Sequence, residues 1–206
     1  MRPGTFAVVN VVESATRELA RLRAGLRAAG ANWGSTTDEE AASYPCDRVL
    51  PDAEQWLFRA VDVAAPASIV FRWLCQLRVA PYSYDWLDNF GRQSPRTLTP
   101  ELEDIEPGQR AVAIFEIADV EPGESITLQA PRSVFGNVAI TYRVVAVDEQ
   151  RSRLVAKLGV VYPKGVQGAV LRDVLPFGDL VMMRKQLRTL ADLAAESART
   201  AGSSTG

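Results

Sequence analysis

Residues 81–90 hold the densest mixture of chemistry in the chain: Tyr82, Ser83, Tyr84, Asp85, Trp86, Asp88, Asn89 and Phe90. Asp85, flanked by Tyr84 and Trp86, has two roles open to it. Partial desolvation would raise its pKa toward general acid–base use. Alternatively it caps a short helix beginning at Trp86. Tyr82 and Tyr84 flank one serine, so in an extended segment both rings point the same way and both hydroxyls reach a common ligand. The alternative is packing with the hydroxyls in water. Trp86 is read as core or platform, and Asn89 as a turn former or ligand contact.

Elsewhere the residue inventory narrows the chemistry. The 206 residues contain no histidine, which removes Ser-His-Asp and Cys-His catalysis and every histidine metal site. Cys46 and Cys75 are far apart and lack metal spacing, so they read as free thiols in a reducing cytoplasm. No metal or cofactor is expected: the chain has no phosphate loop and no dinucleotide fingerprint. A formal net charge of -2 and a pI near 5.4 give no bulk attraction to nucleic acid or anionic membrane. No apolar run approaches the length of a membrane span, and residues 6–12 are apolar but too short and poorly flanked for a signal peptide.

The elements that must position these residues follow from periodicity. Ser14 caps a helix running to about Ala29 with Gly30 as its stop, and Leu19, Leu22 and Leu26 form its apolar stripe. Residues 31–53 read as an ordered linker with one helical turn capped by Thr37. A strand over 56–63 alternates, with Leu57, Arg59, Val61 and Val63 on one face. Pro66 starts an amphipathic helix carrying Ile69, Val70, Trp73, Leu74 and Leu77 and ending near Arg78. A short helix is expected over 85–90, and a loop with a solvated acidic face over 92–107. Four strands follow, over 109–117, 125–129, 137–147 and 153–162. Their alternation turns Tyr142 and Tyr162 inward and Arg143 outward, and leaves Glu116 on whichever face Val112 and Ile114 take. Two helical segments close the chain, broken at 176–178, with Asp179 capping the second and Met183 and Arg184 on or beside its apolar stripe. Residues 201–206 read as a tail.

This order, strand, helix, antiparallel strands and a long last helix, resembles the SRPBCC superfamily of START-like, Bet v 1-like helix-grip proteins, and within it the polyketide cyclase/dehydrase-like branch. The resemblance is carried by residues 59–66 and 70–77, by the Tyr84–Asp85–Trp86–Leu87 box, by Trp33–Gly34 ahead of the first strand, and by Phe177 to Glu196. It implies an α+β fold in which a curved antiparallel sheet wraps a long C-terminal helix. The expected organisation is an N-terminal helix and linker over 1–53, a helix-grip domain over 54–197 and a tail over 198–206. It also implies binding of a small hydrophobic molecule, lipid or polyketide-like, between sheet and helix. The expected ligand contacts are Tyr82, Tyr84, Trp86, Asn89, Tyr142, Tyr162, Met183 and Arg184. One alternative is a cyclase, aromatase or dehydratase using Asp85 and Tyr84 for proton transfer. Another is a partner-binding module, for example a homodimer, that docks through the N-terminal helix.

Overall fold

A computed structural model of the protein describes residues 17, 18, 20–25, 27–84, 91–111 and 114–203. Its frame is a six-stranded sheet in the order β1-β2-β6-β5-β4-β3. The strands are β1 (Asn32–Trp33), β2 (Gln55–Val63), β3 (Glu116–Glu121), β4 (Ser125–Ser133), β5 (Gly136–Ala146) and β6 (Ser152–Val161). The β1–β2 pair is parallel; β2–β6, β6–β5, β5–β4 and β4–β3 are antiparallel. The helices are α1 (helical over 17–31 where described), α2 (Thr37–Ala41), α3 (Pro45–Val49), α4 (Ala67–Cys75) and α5 (Gly165–Ser203). This is the α+β helix-grip architecture expected from the sequence.

Strand alternation sorts the side chains into two layers. The inner face carries Leu57, Val63, Ile126, Leu128, Ile140, Tyr142, Val144, Leu154, Leu158 and Val160. It packs on Val70, Trp73 and Leu74 of α4 and on Met183, Leu187, Leu190 and Leu193 of α5. The outer face carries Phe58, Ala60, Ala139 and Val155. These close a second, smaller core with Tyr44 and Cys46 of the α2–α3 segment. Residues 37–53 are therefore a packed layer rather than a linker alone. Their entry is a capping box at Thr36 and Glu39, one residue before the expected cap at Thr37.

Other expectations shift for identifiable reasons. The strand expected over 109–117 begins at Glu116; upstream, among the described residues, a single isolated bridge joins Arg110 to Glu116. The alternation Val112–Ile114–Glu116 mimicked a strand, yet Ile114 is 53% exposed. Glu116 lies on the outer side, where Gln129 Nε2 donates to it at 2.7 Å. Arg143 also faces outward, but its guanidinium is covered: it stacks 4.2 Å from the Tyr44 ring and donates to the Ser43 carbonyl.

The expected break at 176–178 is absent. α5 is continuous with Pro176 inside it, and it extends through Ser203, past the expected start of the tail. A mid-helix proline removes one backbone bond and crowds the preceding turn, so the site needs support from outside the helix. That support comes from α1 and β2. Gly30 lies so close that an added Cβ would sit 3.0 Å from Pro176 Cβ, and Arg59 Nη2 donates to the Pro176 carbonyl at 3.2 Å. Gly30 is helical and buried, so it serves close packing rather than only a stop. Leu22, expected in the docking stripe of α1, is 63% exposed; Leu19 and Leu26 lie outside the described residues. What joins α1 to α5 is instead Arg27 on Asp173 at 2.6 Å, with Arg23 at 3.6 Å.

Candidate functional site

One row of residues across the inner face differs from all others. The register aligns Arg59 of β2 with Ala156 of β6, and Ala156 with Tyr142 of β5. Alanine between them leaves room above the sheet, and α5 fills it with Asp179, Met183 and Gln186. The row thus sets a guanidinium, a carboxyl, a phenol and an amide into an otherwise apolar layer.

Arg59 is 1% exposed. Its Nη1 donates to the carbonyls of Ala31 and Phe58, and its Nη2 to those of Gly30 and Pro176, at 2.5 to 3.2 Å. The same Nη2 lies 2.8 Å from Asp179 Oδ2. Nε makes no hydrogen bond among the described residues. A planar fork with five donors suits several fixed carbonyls at once. Here it gathers the last turn of α1, the strand and the proline turn of α5. Burial moves both partners toward neutrality and outweighs their attraction. It lowers the Arg59 pKa, and it pushes the Asp179 carboxyl up to about 6. Asp179 is thus no helix cap; it sits within α5 and answers Arg59.

Tyr142 is the second half of the row. Its hydroxyl donates to Gln186 Oε1 at 2.7 Å and lies 3.6 Å from Met183 Sδ. Gln186 Nε2 donates in turn to the Pro81 carbonyl at 2.6 Å. A continuous hydrogen-bonded chain therefore runs from the sheet, through α5, to the start of the aromatic segment 81–90. Burial, with a smaller contribution from the Asp179 charge, holds the Tyr142 phenol well above its usual range.

The backbone at Tyr82 departs from the extended form. Tyr82 takes φ 56, a left-handed conformation that costs a non-glycine residue on the order of 1–3 kcal/mol. The turn drives its ring inward to 1% exposure, edge-on to Trp73 at 5.9 Å and 87°. Tyr84 stays half-buried. Trp73 is core, with Nε1 donating to Ser197 at 3.0 Å. The following loop is tied down where Gln76 exchanges two hydrogen bonds of 3.1 Å with the Thr99 backbone. Asp85, Trp86 and Asn89 lie outside the described residues.

The remaining expected contacts separate. Met183 stands beside Tyr142 in the row. Tyr162 is buried beyond the end of β6, where its hydroxyl bonds Gln55 and Arg172 stacks 5.1 Å from its ring; burial pushes its phenol up to about 12. Arg184 is exposed, its guanidinium 5.3 Å from the Trp33 ring at the sheet edge, with Arg188 at 5.2 Å. Two open recesses are lined by described residues. One, of about 440 Å³, runs past Trp33, Ala60, Asp62, Arg153 and Arg188; the other, of about 400 Å³, lies at the Asp148–Arg151 turn. The first lies between Arg188, Ala191 and Asp192 of α5 and Trp33 and Val61 at the β1–β2 edge, where Val61 belongs to the inner face. Both cysteines are free and buried; burial pushes the Cys75 thiol up to about 12, far from nucleophilic use.

Sequence reasoning missed Arg59, Asp179 and Gln186. The signal for Arg59 was present: it is the one charge on a strand face otherwise made of Leu57, Val61 and Val63. Asp179 was hidden by its place after Pro176–Phe177–Gly178, which reads as a helix start.

Among solved structures, the Zhui aromatase/cyclase from Streptomyces sp. R1128 superposes with a TM-score of 0.52 at 19% identity, covering 72% of this chain and 98% of that one. The self-sacrificing resistance protein CalC from Micromonospora echinospora gives 0.46 at 17%, covering 69% and 96%. A START superfamily protein from Mycobacterium smegmatis gives 0.39 at 15%, covering 70% and 97%. The sequence matches no protein-family profile. No curated protein matches it. The likeness to the Zhui aromatase/cyclase is one of fold. No helix among the described residues is long and apolar enough to cross a membrane.

Proposed function

We propose that the protein binds a small, mainly hydrophobic molecule carrying at least one carbonyl or hydroxyl, held between α5 and the inner face of the sheet. The observation that carries this reading is the chain from Tyr142 through Gln186 to the Pro81 carbonyl, next to Arg59–Asp179, inside a layer that is otherwise apolar. A few placed polar groups in an apolar surround are how such sites fix orientation. Met183, unbranched and soft, adapts to different shapes beside them. Entry requires α5 and the Pro81 backbone to part, because Tyr142 and Leu187 are closed off from solvent. Tyr82, Tyr84, Trp86 and Asn89 would then form the mouth. Two buried free thiols fit a reducing cytoplasm. Native mass spectrometry after exposure to lipid and polyketide-like mixtures tests the reading. A one-to-one adduct that Tyr142→Phe weakens supports it; no adduct with any mixture overturns it.

One observation favours a second reading, catalysis on a carbonyl substrate of the polyketide type. A carboxyl pushed up to about 6 is placed to take and return a proton near neutrality. Asp179 would be that group, with Tyr142 polarising the carbonyl, and Asp85 and Tyr84 are the alternative pair at the mouth. On an identified substrate, Asp179→Asn and Asp85→Asn separate the two assignments. Unchanged turnover in both variants removes carboxylate catalysis.

A further inference from the structure

The recess of about 440 Å³ at the β1–β2 edge is lined from the sheet by Trp33 and Val61 and from α5 by Arg188, Ala191 and Asp192. Arg184, Arg188, Ala191 and Asp192 follow at steps of three and four residues, which keeps them on one side of the helix. Nearer the start of α5 that side is apolar, with Val166, Val170 and Val174 exposed. At Arg184 it turns cationic. Gly34 closes the recess behind Trp33. It takes φ 76, and an added Cβ would collide with the Ala60 carbonyl. The backbone beside the Trp33 ring is therefore fixed against β2.

Charge and shape both point to a ligand. The Arg184 and Arg188 guanidiniums lie 5.3 and 5.2 Å from the same ring. Like charges four residues apart on a helix repel, and among the described residues neither guanidinium has an acidic partner. Arg188 stays on the ring although Asp192 stands four residues on, at the spacing of helix ion pairs. The third cation of the recess, Arg153, is already held by Glu39 and Asp62. Two uncompensated guanidiniums therefore border the opening. Trp33, Val61 and Ala191 are partly buried and pack on the main core, so the floor is apolar. An apolar floor with a few convergent charges is how small-molecule sites are built.

We propose that this recess binds a planar organic carboxylate, such as an aromatic acid. The ring lies on Trp33, Val61 and Ala191, and the carboxylate is taken by Arg188 with Arg184 beside it. A guanidinium fork matches the two oxygens of a carboxylate in one plane. Asp62 and Asp192 at the rim disfavour a second anionic group there and accept a hydroxyl. The site is separate from the row around Tyr142, and filling it does not require α5 to part from the sheet.

Isothermal titration calorimetry of the full chain with 2-naphthoate tests the site. The probe should bind one-to-one, and its neutral counterpart 2-naphthamide at least about tenfold more weakly. Arg188→Gln should weaken 2-naphthoate binding about tenfold. Arg188→Lys, which keeps the charge but loses the fork, should weaken it less. Tyr142→Phe should leave it unchanged, which separates this site from the interior one. Arg188 is exposed, and matched thermal melts confirm that the variants fold. The proposal is overturned if 2-naphthoate shows no binding up to about ten millimolar, if the amide binds as well as the acid, or if Arg188→Gln leaves the affinity unchanged. Binding that Tyr142→Phe removes and Arg188→Gln does not overturns it too, in favour of the interior site.

Discussion

Among the described residues the sheet buries one cation on each face, and the two are held in opposite ways. On the inner face Arg59 spends its donors on fixed carbonyls of α1, β2 and α5, with Asp179 as counterion. On the outer face the Lys157 ammonium sits 4.5 Å from the Trp56 ring, 5.2 Å from Tyr44 and 5.5 Å from Phe58, with Asp47 at 2.6 Å. The guanidinium is a directional joint between three elements, whereas the ammonium is a point charge in a ring-lined slot open to Asp47 at its rim. Losing the first should disconnect the fold, while losing the second should only change what fills a hole.

That contrast can be broken by measurement. Arg59→Met leaves the buried Asp179 carboxyl without a counterion and four carbonyls short of a donor, so urea unfolding should show a loss of about 3–5 kcal/mol. The next effect is pH dependence. The folded-state pKa of Asp179, about 6, lies above the unfolded value near 4, so the folded state holds this proton more tightly. Its contribution is fully present below about pH 4 and is lost as pH rises through 6, a span of up to about 3 kcal/mol. The Asp179→Asn variant should lack that slope, so the difference between wild-type and variant stability curves between pH 4 and 7 measures it. A flat difference would mean the carboxyl is better solvated than its burial implies.

Smaller effects follow. Gly159→Ala would place a Cβ 2.5 Å from the Trp56 ring, which lies across that glycine; moving the ring should cost about 1–3 kcal/mol and disturb the Lys157 slot without touching Arg59. Tyr142→Phe strands Gln186 Oε1 and should cost about 1–2 kcal/mol, read by thermal melting. Lys157→Met puts a flexible apolar chain among three rings and should change stability by less than about 1 kcal/mol. If Lys157→Met proves as damaging as Arg59→Met, the distinction between the two faces fails.

Much of this architecture was legible because its signals are local. The alternation over 137–147 and the apolar spacing from Ile69 to Leu77 placed β5 and α4 nearly as they stand. The same alternation correctly turned Tyr142 inward. What could not be read depends on partners distant in sequence. Pro176 reads as a break because the groups that stabilise it, Gly30 and Arg59, lie more than a hundred residues away. Arg184 reads as a ligand contact because nothing local reveals that Trp33 lies beside it. Tyr82 reads as extended because its left-handed turn is imposed by the space against Trp73.

The unbroken course of α5 has a mechanical consequence. Its 39 residues make a rod about 58 Å long, well beyond the reach of the 11-residue β5, about 37 Å when extended. Pro176 divides that rod into a longer arm seated on the sheet and a shorter arm that carries most of the exposed valines. The Arg59 guanidinium sits at the dividing point. A load on the short arm is a lever load on the turn that Arg59 clamps, with the Tyr142–Gln186–Pro81 linkage on the other side of that turn.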